Sequence, residues 1–169
     1  MAISSSAPFT PPELHEQLAP ACTLVRGPVQ MAGHYAVRRG IFVQTQRLFT
    51  HDDRDERDDQ AATLHAVGLL GDVIVGAVRL YPLDDDGLWK GDRLAVLPAK
   101  RALQLGAMLV RFAVRTAGER GGRRMVAQVQ VANVGFFERL GWRCDGDPAP
   151  MLGVEHQPMA IDLRRGPAR

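Results

Sequence analysis

The sequence is poor in the features that would take it away from ordinary globular chemistry. Cysteine occurs only twice, as Cys22 and Cys144. Two cysteines in 169 residues make no disulfide framework, and reduced thiols are expected. No apolar run approaches the ~20 residues of a membrane span, so no membrane partner is expected. Residues 1–12 are rich in Ala, Ser and Pro and lack the basic start and apolar run of a signal peptide. Residues 1–21 therefore read as a disordered lead-in, and a cytoplasmic location is expected. Aromatic residues are scarce, and none interleave with basic residues as on a nucleic-acid platform. Charge of one sign is lacking too: 21 basic side chains stand against 19 acidic ones, which gives no case for nucleic acid as a partner.

What remains is an ordinary composition, 46% hydrophobic and 24% charged. A chain of this length can bury roughly 70% of its unfolded surface in one core, so a single domain over 22–165 is expected. Residues 22–26 read as a first strand. Residues 29–46 have helix-compatible spacing weakened by Gly33 and Gly40. The stretch 51–59, which holds Asp53, Asp55 and Asp58, breaks the apolar pattern and reads as a solvated surface loop. It lacks the central Gly and terminal Glu of a calcium loop, so no metal is expected.

Residues 64–70 and 73–81 flank Gly71-Asp72 and predict a β-hairpin. A further strand over 88–97 stops at Pro98. The clearest helix is 102–117, with Leu105, Met108, Leu109, Phe112 and Ala113 on one stripe. A strand over 124–131, a short helix over 133–140 and strands over 142–144 and 158–163 complete a mixed α/β pattern, meander strands followed by a β-α-β unit.

The passage from Asp92 to Ala107 carries the cofactor argument. A strand ends at a proline, a basic loop follows, and a helix begins. The first turn of a helix has free amides and the positive end of the dipole, which together hold phosphate. Lys100 and Arg101 add positive charge there, and Gly106 allows close approach. Taken alone, the same residues also fit two solvated cations and a glycine that eases helix packing.

Two motifs carry a family resemblance. Arg101-x-x-Gln104-x-Gly106-Ala107 resembles the signature of the GNAT (Gcn5-related N-acetyltransferase) superfamily, with Gln104 in place of its first glycine. Gln130 to Trp142, with Asn133, Phe136, Phe137 and Gly141, resembles a second GNAT segment. The wider set, from Tyr35-x-x-Arg38 to Gly153-x-x-His156, resembles a bacterial nitrogen-starvation or nitrilase-cluster N-acetyltransferase group. The resemblance implies a GNAT fold: a mixed central sheet, helices on both faces, and splayed central strands.

It also implies direct acyl transfer from acetyl-CoA to a small-molecule amine. Ala95, Val96, Leu97, Arg101, Ala102, Leu103, Gln104, Leu105, Gly106 and Ala107 would hold coenzyme A. Asn133 would bind the pantetheine arm and Phe136 and Phe137 the thiol end. An amide near Val96 or Leu97 would polarise the thioester. Phe137 stands where many relatives have a tyrosine acid, so that proton donor is lost. His156 suits a general base by residue type and equally suits a strand-edge histidine. Asp92 shares alternation parity with Leu94 and Val96, which would place it either in the cleft or at a charged rim. Arg79, inside an apolar strand, needs a carboxylate partner, either the loop of Asp55 and Asp58 or an acidic substrate; all three are candidate substrate-binding residues. A homodimer is allowed. Two rival readings are an acyl-homoserine-lactone-synthase-like enzyme and a catalytically inactive CoA-binding protein.

Overall fold

The computed structural model describes residues 19–98 and 104–163. In chain order the strands and helices are β1 (Pro20–Leu24), α1 (Gly27–Arg38), β2 (Leu64–Leu70), β3 (Val73–Pro82), β4 (Leu88–Val96), α2 (Leu105–Glu119), β5 (Arg124–Gln130), α3 (Val134–Arg139), β6 (Arg143–Cys144), β7 (Ala149–Met151) and β8 (Val154–Asp162). Among the described residues the strands make one sheet in the order β1-β2-β3-β4-β5-β8-β6, with β7 pairing β8. Its pairs are antiparallel except β4–β5, which is parallel. Helices cover both faces, as the resemblance implied.

The hairpin forms over the predicted strands, with Gly71 at φ 60° in its turn. The faces are set by alternation. Gly68 and Gly76 lie under α2, where an added Cβ would come 2.9 Å and 2.8 Å from the Leu105 and Leu109 side chains. The missing side chains let α2 seat Leu105 and Leu109, both fully buried, directly on the sheet. On the opposite face Ala77 and Ala95 pack against Val37, Ile41 and Phe42. There α1 runs over a π-helical turn, Arg39–Thr45.

Several elements differ from the sequence reading. β1 lies two residues earlier than expected, so Pro20 and Ala21 belong to the sheet and not to the lead-in. β8 starts at Val154, four residues before the expected strand. Pro158 disguised it. The Pro158 carbonyl accepts from Asp145 N at 2.8 Å. The proline nitrogen therefore faces the gap between β6 and β7, where no ladder bond is lost. Cys22 on β1 and Cys144 on β6 stand at opposite ends of the sheet, and both are free thiols. Burial pushes the Cys22 thiol up to about 11, with Arg115 opposing, which leaves it inert.

Candidate active site

Two irregularities in the sheet build the site. The first is the parting of β4 from β5. They pair only through Leu88, Trp89 and Lys90 with Arg124, Met125 and Val126. β5 stays paired with β8 along its whole length, but beyond that vertex it has no ladder to β4, and the parting opens a cleft of about 720 Å³.

The second is a bulge in β4. Ala77 faces Ala95 while Arg79 faces Asp92, so three steps on β4 match two on β3. Arg93 takes the extra position at φ 53°, a left-handed conformation rarely used by residues other than glycine. The bulge reverses the alternation: Asp92 shares its face with Ala95 and not with Leu94 and Val96. This corrects the expected parity.

The bulge also decides which amides face the cleft. Leu97 N donates to Val75 O at 2.9 Å and is spent on β3. Gly76 and Val96 are the next opposed pair. Antiparallel ladders alternate bonded and non-bonded pairs, so the Val96 amide turns away from β3 toward the gap beside β5.

At the head of α2, Gln104 sits at φ 56° and its side chain makes no cap, so among the described residues the first amides of the helix have no side-chain acceptor. An added Cβ on Gly106 would lie 3.6 Å from Phe136 and 3.8 Å from Val96, ordinary contact distances. Packing therefore does not require glycine at 106, in contrast to Gly68 and Gly76. Leu105 is a fully buried core residue, and only its main chain can serve a ligand. Arg101, Ala102 and Leu103 lie outside the described residues.

The cleft wall includes Asn133, Phe137 and His156. Asn133 is exposed and Phe136 half-buried. Phe137 is buried edge-on between Phe136 and Trp142, with ring centroids 5.4 Å and 5.5 Å away. His156 faces Gln130 across β5–β8. Its Nδ1 lies 2.8 Å from Val154 O. A carbonyl can only accept, so the bonded ring carries its proton on Nδ1 and leaves the Nε2 lone pair free.

The acidic stretch is not the solvated loop its composition suggested. Asp53 and Asp58 are buried under Arg38 and Arg79, which are themselves buried. Arg38 pairs with Asp53 at 2.8 Å and Asp58 at 2.6 Å. Arg79 pairs with Asp55 at 2.6 Å, Asp58 at 3.0 Å and Asp92 at 2.7 Å. Arg93 joins Asp53 at 3.0 Å and Asp55 at 3.2 Å. The partner Arg79 required is thus the chain's own loop together with Asp92.

This answers two expectations. Both Asp92 oxygens are engaged by Arg79, and Tyr81 also donates to one at 3.2 Å, so Asp92 is an ion-pair partner and not a free base. Arg79, Asp55 and Asp58 are held by one another. Of these only Asp55 is well exposed, at 44%, and both it and Arg79 border the cleft. Hydrogen bonding to Arg79 holds Asp55 below the usual carboxylate range. Arg38 hydrogen bonds hold Asp58 well below that range despite its burial. Burial and the Asp92 charge push the Tyr81 phenol up to about 12, so it stays protonated.

The profile of the acetyltransferase (GNAT) family matches residues 34–142, more than half of the chain. The chain belongs to that family. A Bacillus subtilis (strain 168) protein named as a candidate acetyltransferase is 27% identical over 123 residues, 72% of this chain and 82% of that one. A crystal structure of a protein from Lactobacillus plantarum, described as a candidate N-acetyltransferase, superposes with a TM-score of 0.76 at 24% identity. It covers 86% of this chain and 99% of its own. The CoA-dependent acyl-homoserine lactone synthase BjaI, crystallised with S-adenosylmethionine and isopentyl-CoA, shares the fold at a TM-score of 0.69 and 21% identity. It covers 80% of this chain and 76% of its own. The chain is accordingly a GNAT N-acetyltransferase, and its splayed strands are those of the GNAT fold.

Arg38, Asp53, Arg93 and Tyr81 line or support this GNAT site without having been singled out for it from the sequence. The hint for Arg38 was a cation at helical spacing among apolar residues. Arg93 gave no hint, because its role follows from a bulge that alternation cannot reveal.

Proposed function

We propose that the chain transfers an acyl group from acyl-CoA to the amine of a small molecule by direct attack, with acetyl-CoA the smallest donor. The observation that carries this reading is the parting of β4 and β5 beside an α2 N-terminus that the Gln104 side chain does not cap. The gap suits a pantetheine arm laid as an extra strand on β4, and the helix amides suit the diphosphate. Asn133 at the cleft wall would anchor the arm. The Val96 amide would donate to the thioester oxygen as negative charge develops there.

His156 is the base this reading assigns. The amine attacks the thioester carbonyl, its proton passes to His156 Nε2, and the C–S bond breaks. CoA leaves as a thiolate. Phe137 cannot protonate it, and with a thiol pKa of ~8.5 it departs without a dedicated acid. Asp55 and Glu56 border the cleft and would attract a cationic acceptor. Holding both reactants in one cleft supplies much of the rate.

Titration calorimetry with CoA and acetyl-CoA tests the cofactor half, and thiol release across an amine panel tests the transfer. Gly106→Trp should weaken CoA binding by at least tenfold while leaving the circular dichroism spectrum intact. Full CoA affinity in that variant would move the diphosphate elsewhere. CoA binding with no thiol release from any amine would favour a binding protein without catalysis. Transfer to S-adenosylmethionine in preference to every other amine, whether from acyl-CoA or acyl carrier protein, would favour the acyl-homoserine-lactone-synthase reading.

A further inference from the structure

On the α1 face of the sheet the cations around the cleft are not all spent. Arg79 and Arg93 border it and are held by carboxylates. Arg57 and Lys90 border it too, and among the described residues neither pairs with a carboxylate, Glu56 beside Arg57 in the chain included. Both are half-buried. Arg57 is also fixed in place. Its guanidinium stacks over the Tyr81 ring, 4.4 Å from the centroid, and its Nη1 donates to Gln60 Oε1 at 2.5 Å. Lys90 stands directly opposite Tyr81 on the neighbouring strand. Opposed residues share a face with their Cβ atoms about 5 Å apart, so one tyrosine has a cation on its ring and another at its side. Two positioned cations without a counter-charge make a seat for an anion.

This seat is far from the reacting end of the cleft. Lys90 pairs with Val126 on β5. His156 pairs with Gln130, further along the same strand. The four extended residues from Val126 to Gln130 span about 13 Å. The lysine and arginine side chains reach into the cleft and shorten the span to roughly 10 Å, the length of about three extended peptide residues. Gln128 lies midway. It shares a face with Val126 and Gln130, is exposed, and borders the cleft. Its amide both donates and accepts, which matches a peptide group and offers nothing to an alkyl chain.

Resting on the acyltransferase reading above, we propose that the acceptor is a short peptide, about three residues long, with a free C-terminal carboxylate. The carboxylate sits at Arg57 and Lys90, a peptide group bonds Gln128, and the N-terminal amine lies at His156. An α-amino acid carries both of its groups on one carbon and does not span the two ends. The amine nitrogen bonds the thioester carbon, its proton passes to His156 Nε2, and the C–S bond breaks to release CoA as a thiolate. The product is an N-acyl peptide whose carboxylate is unchanged.

Thiol release from acetyl-CoA tests this with tri-alanine, tri-alanine amide, alanine, an eight-carbon ω-amino acid and the alkylamine of the same length as acceptors. The wild-type kcat/KM for tri-alanine should exceed that for its amide, and that for alanine, by at least about tenfold, the loss expected when a charged hydrogen-bond partner is missing. In Lys90→Met and in Arg57→Gln the ratio of acid to amide should fall by at least about fivefold. An unchanged ratio in both variants would overturn the seat, and if neither folds the wild-type series decides alone. If the amide or alanine does as well as tri-alanine, the peptide proposal is overturned and the acyltransferase reading stands. If the ω-amino acid matches tri-alanine, the part given to Gln128 falls and the peptide with it. If none of these acceptors releases thiol while another amine does, the proposal alone is overturned. If CoA fails to bind, or no amine releases thiol, the acyltransferase reading falls and the proposal with it.

Discussion

Single residues in this protein work mainly through charge and protonation. Arg79 is the clearest. It lies in the sheet with three carboxylates around it, Asp55, Asp58 and Asp92. Arg79→Leu should lower stability by about 3–5 kcal/mol in urea unfolding, because it strands carboxylates in a buried place. A loss below 1 kcal/mol would mean that water already serves them. His34 makes a second prediction. It is fully buried on α1, its Nδ1 donates to Ala66 O at 3.1 Å, and Arg38 and His65 crowd the other ring nitrogen. Burial, helped by the Arg38 charge, drives its pKa down from 6.5 to about 3. Unfolded His34 takes up a proton near pH 6.5, whereas the folded ring stays neutral until about pH 3. Stability is thus complete at neutral pH and falls as the pH drops through that window, by up to about 1.4 kcal/mol per pH unit. The midpoint of urea unfolding should decline between pH 7 and pH 5, and His34→Gln should flatten the decline. For catalysis, His156→Gln should cut kcat by about 10²-fold or more with an unchanged thermal midpoint. Undiminished kcat would take the base role from His156.

Elements are governed by how closely they approach. α2 sits on Gly68 and Gly76, and Gly76→Ala would put a methyl 2.8 Å from Leu109 Cδ1 and 3.1 Å from Leu105 Cδ2. An overpacked site of this kind costs about 1–3 kcal/mol, which thermal unfolding would register. Gly106→Ala meets only ordinary contacts and should leave stability within about 0.5 kcal/mol. A difference between the two variants separates a glycine kept for packing from one kept for approach by a ligand. The hairpin, α2 and β5 were legible in the sequence because each carries its own period and turn residues. β7 and the first half of β8 were not. The sequence pattern predicts no strand in 145–157 and begins the last one at Pro158; only the gap between β6 and β7 shows why the Pro158 nitrogen is tolerated inside β8.

At the scale of the whole molecule, the acidic stretch ties α1 to the sheet. Arg38 on α1 and Arg79 on β3 share Asp58, so the loop between them is part of the core on that face. From the sequence, 51–59 could only be judged by its composition, which is that of a solvated loop. Its burial depends on two arginines distant in the chain. The membership of the family, the order of the elements and the α2 signature could all be read in the residues, because local periodicity and spacing survive in a linear string. The parting of β4 and β5 and the reversed face of Asp92 could not. Each arises where strands distant in sequence either pair or fail to pair, and no local pattern records a hydrogen bond that is missing.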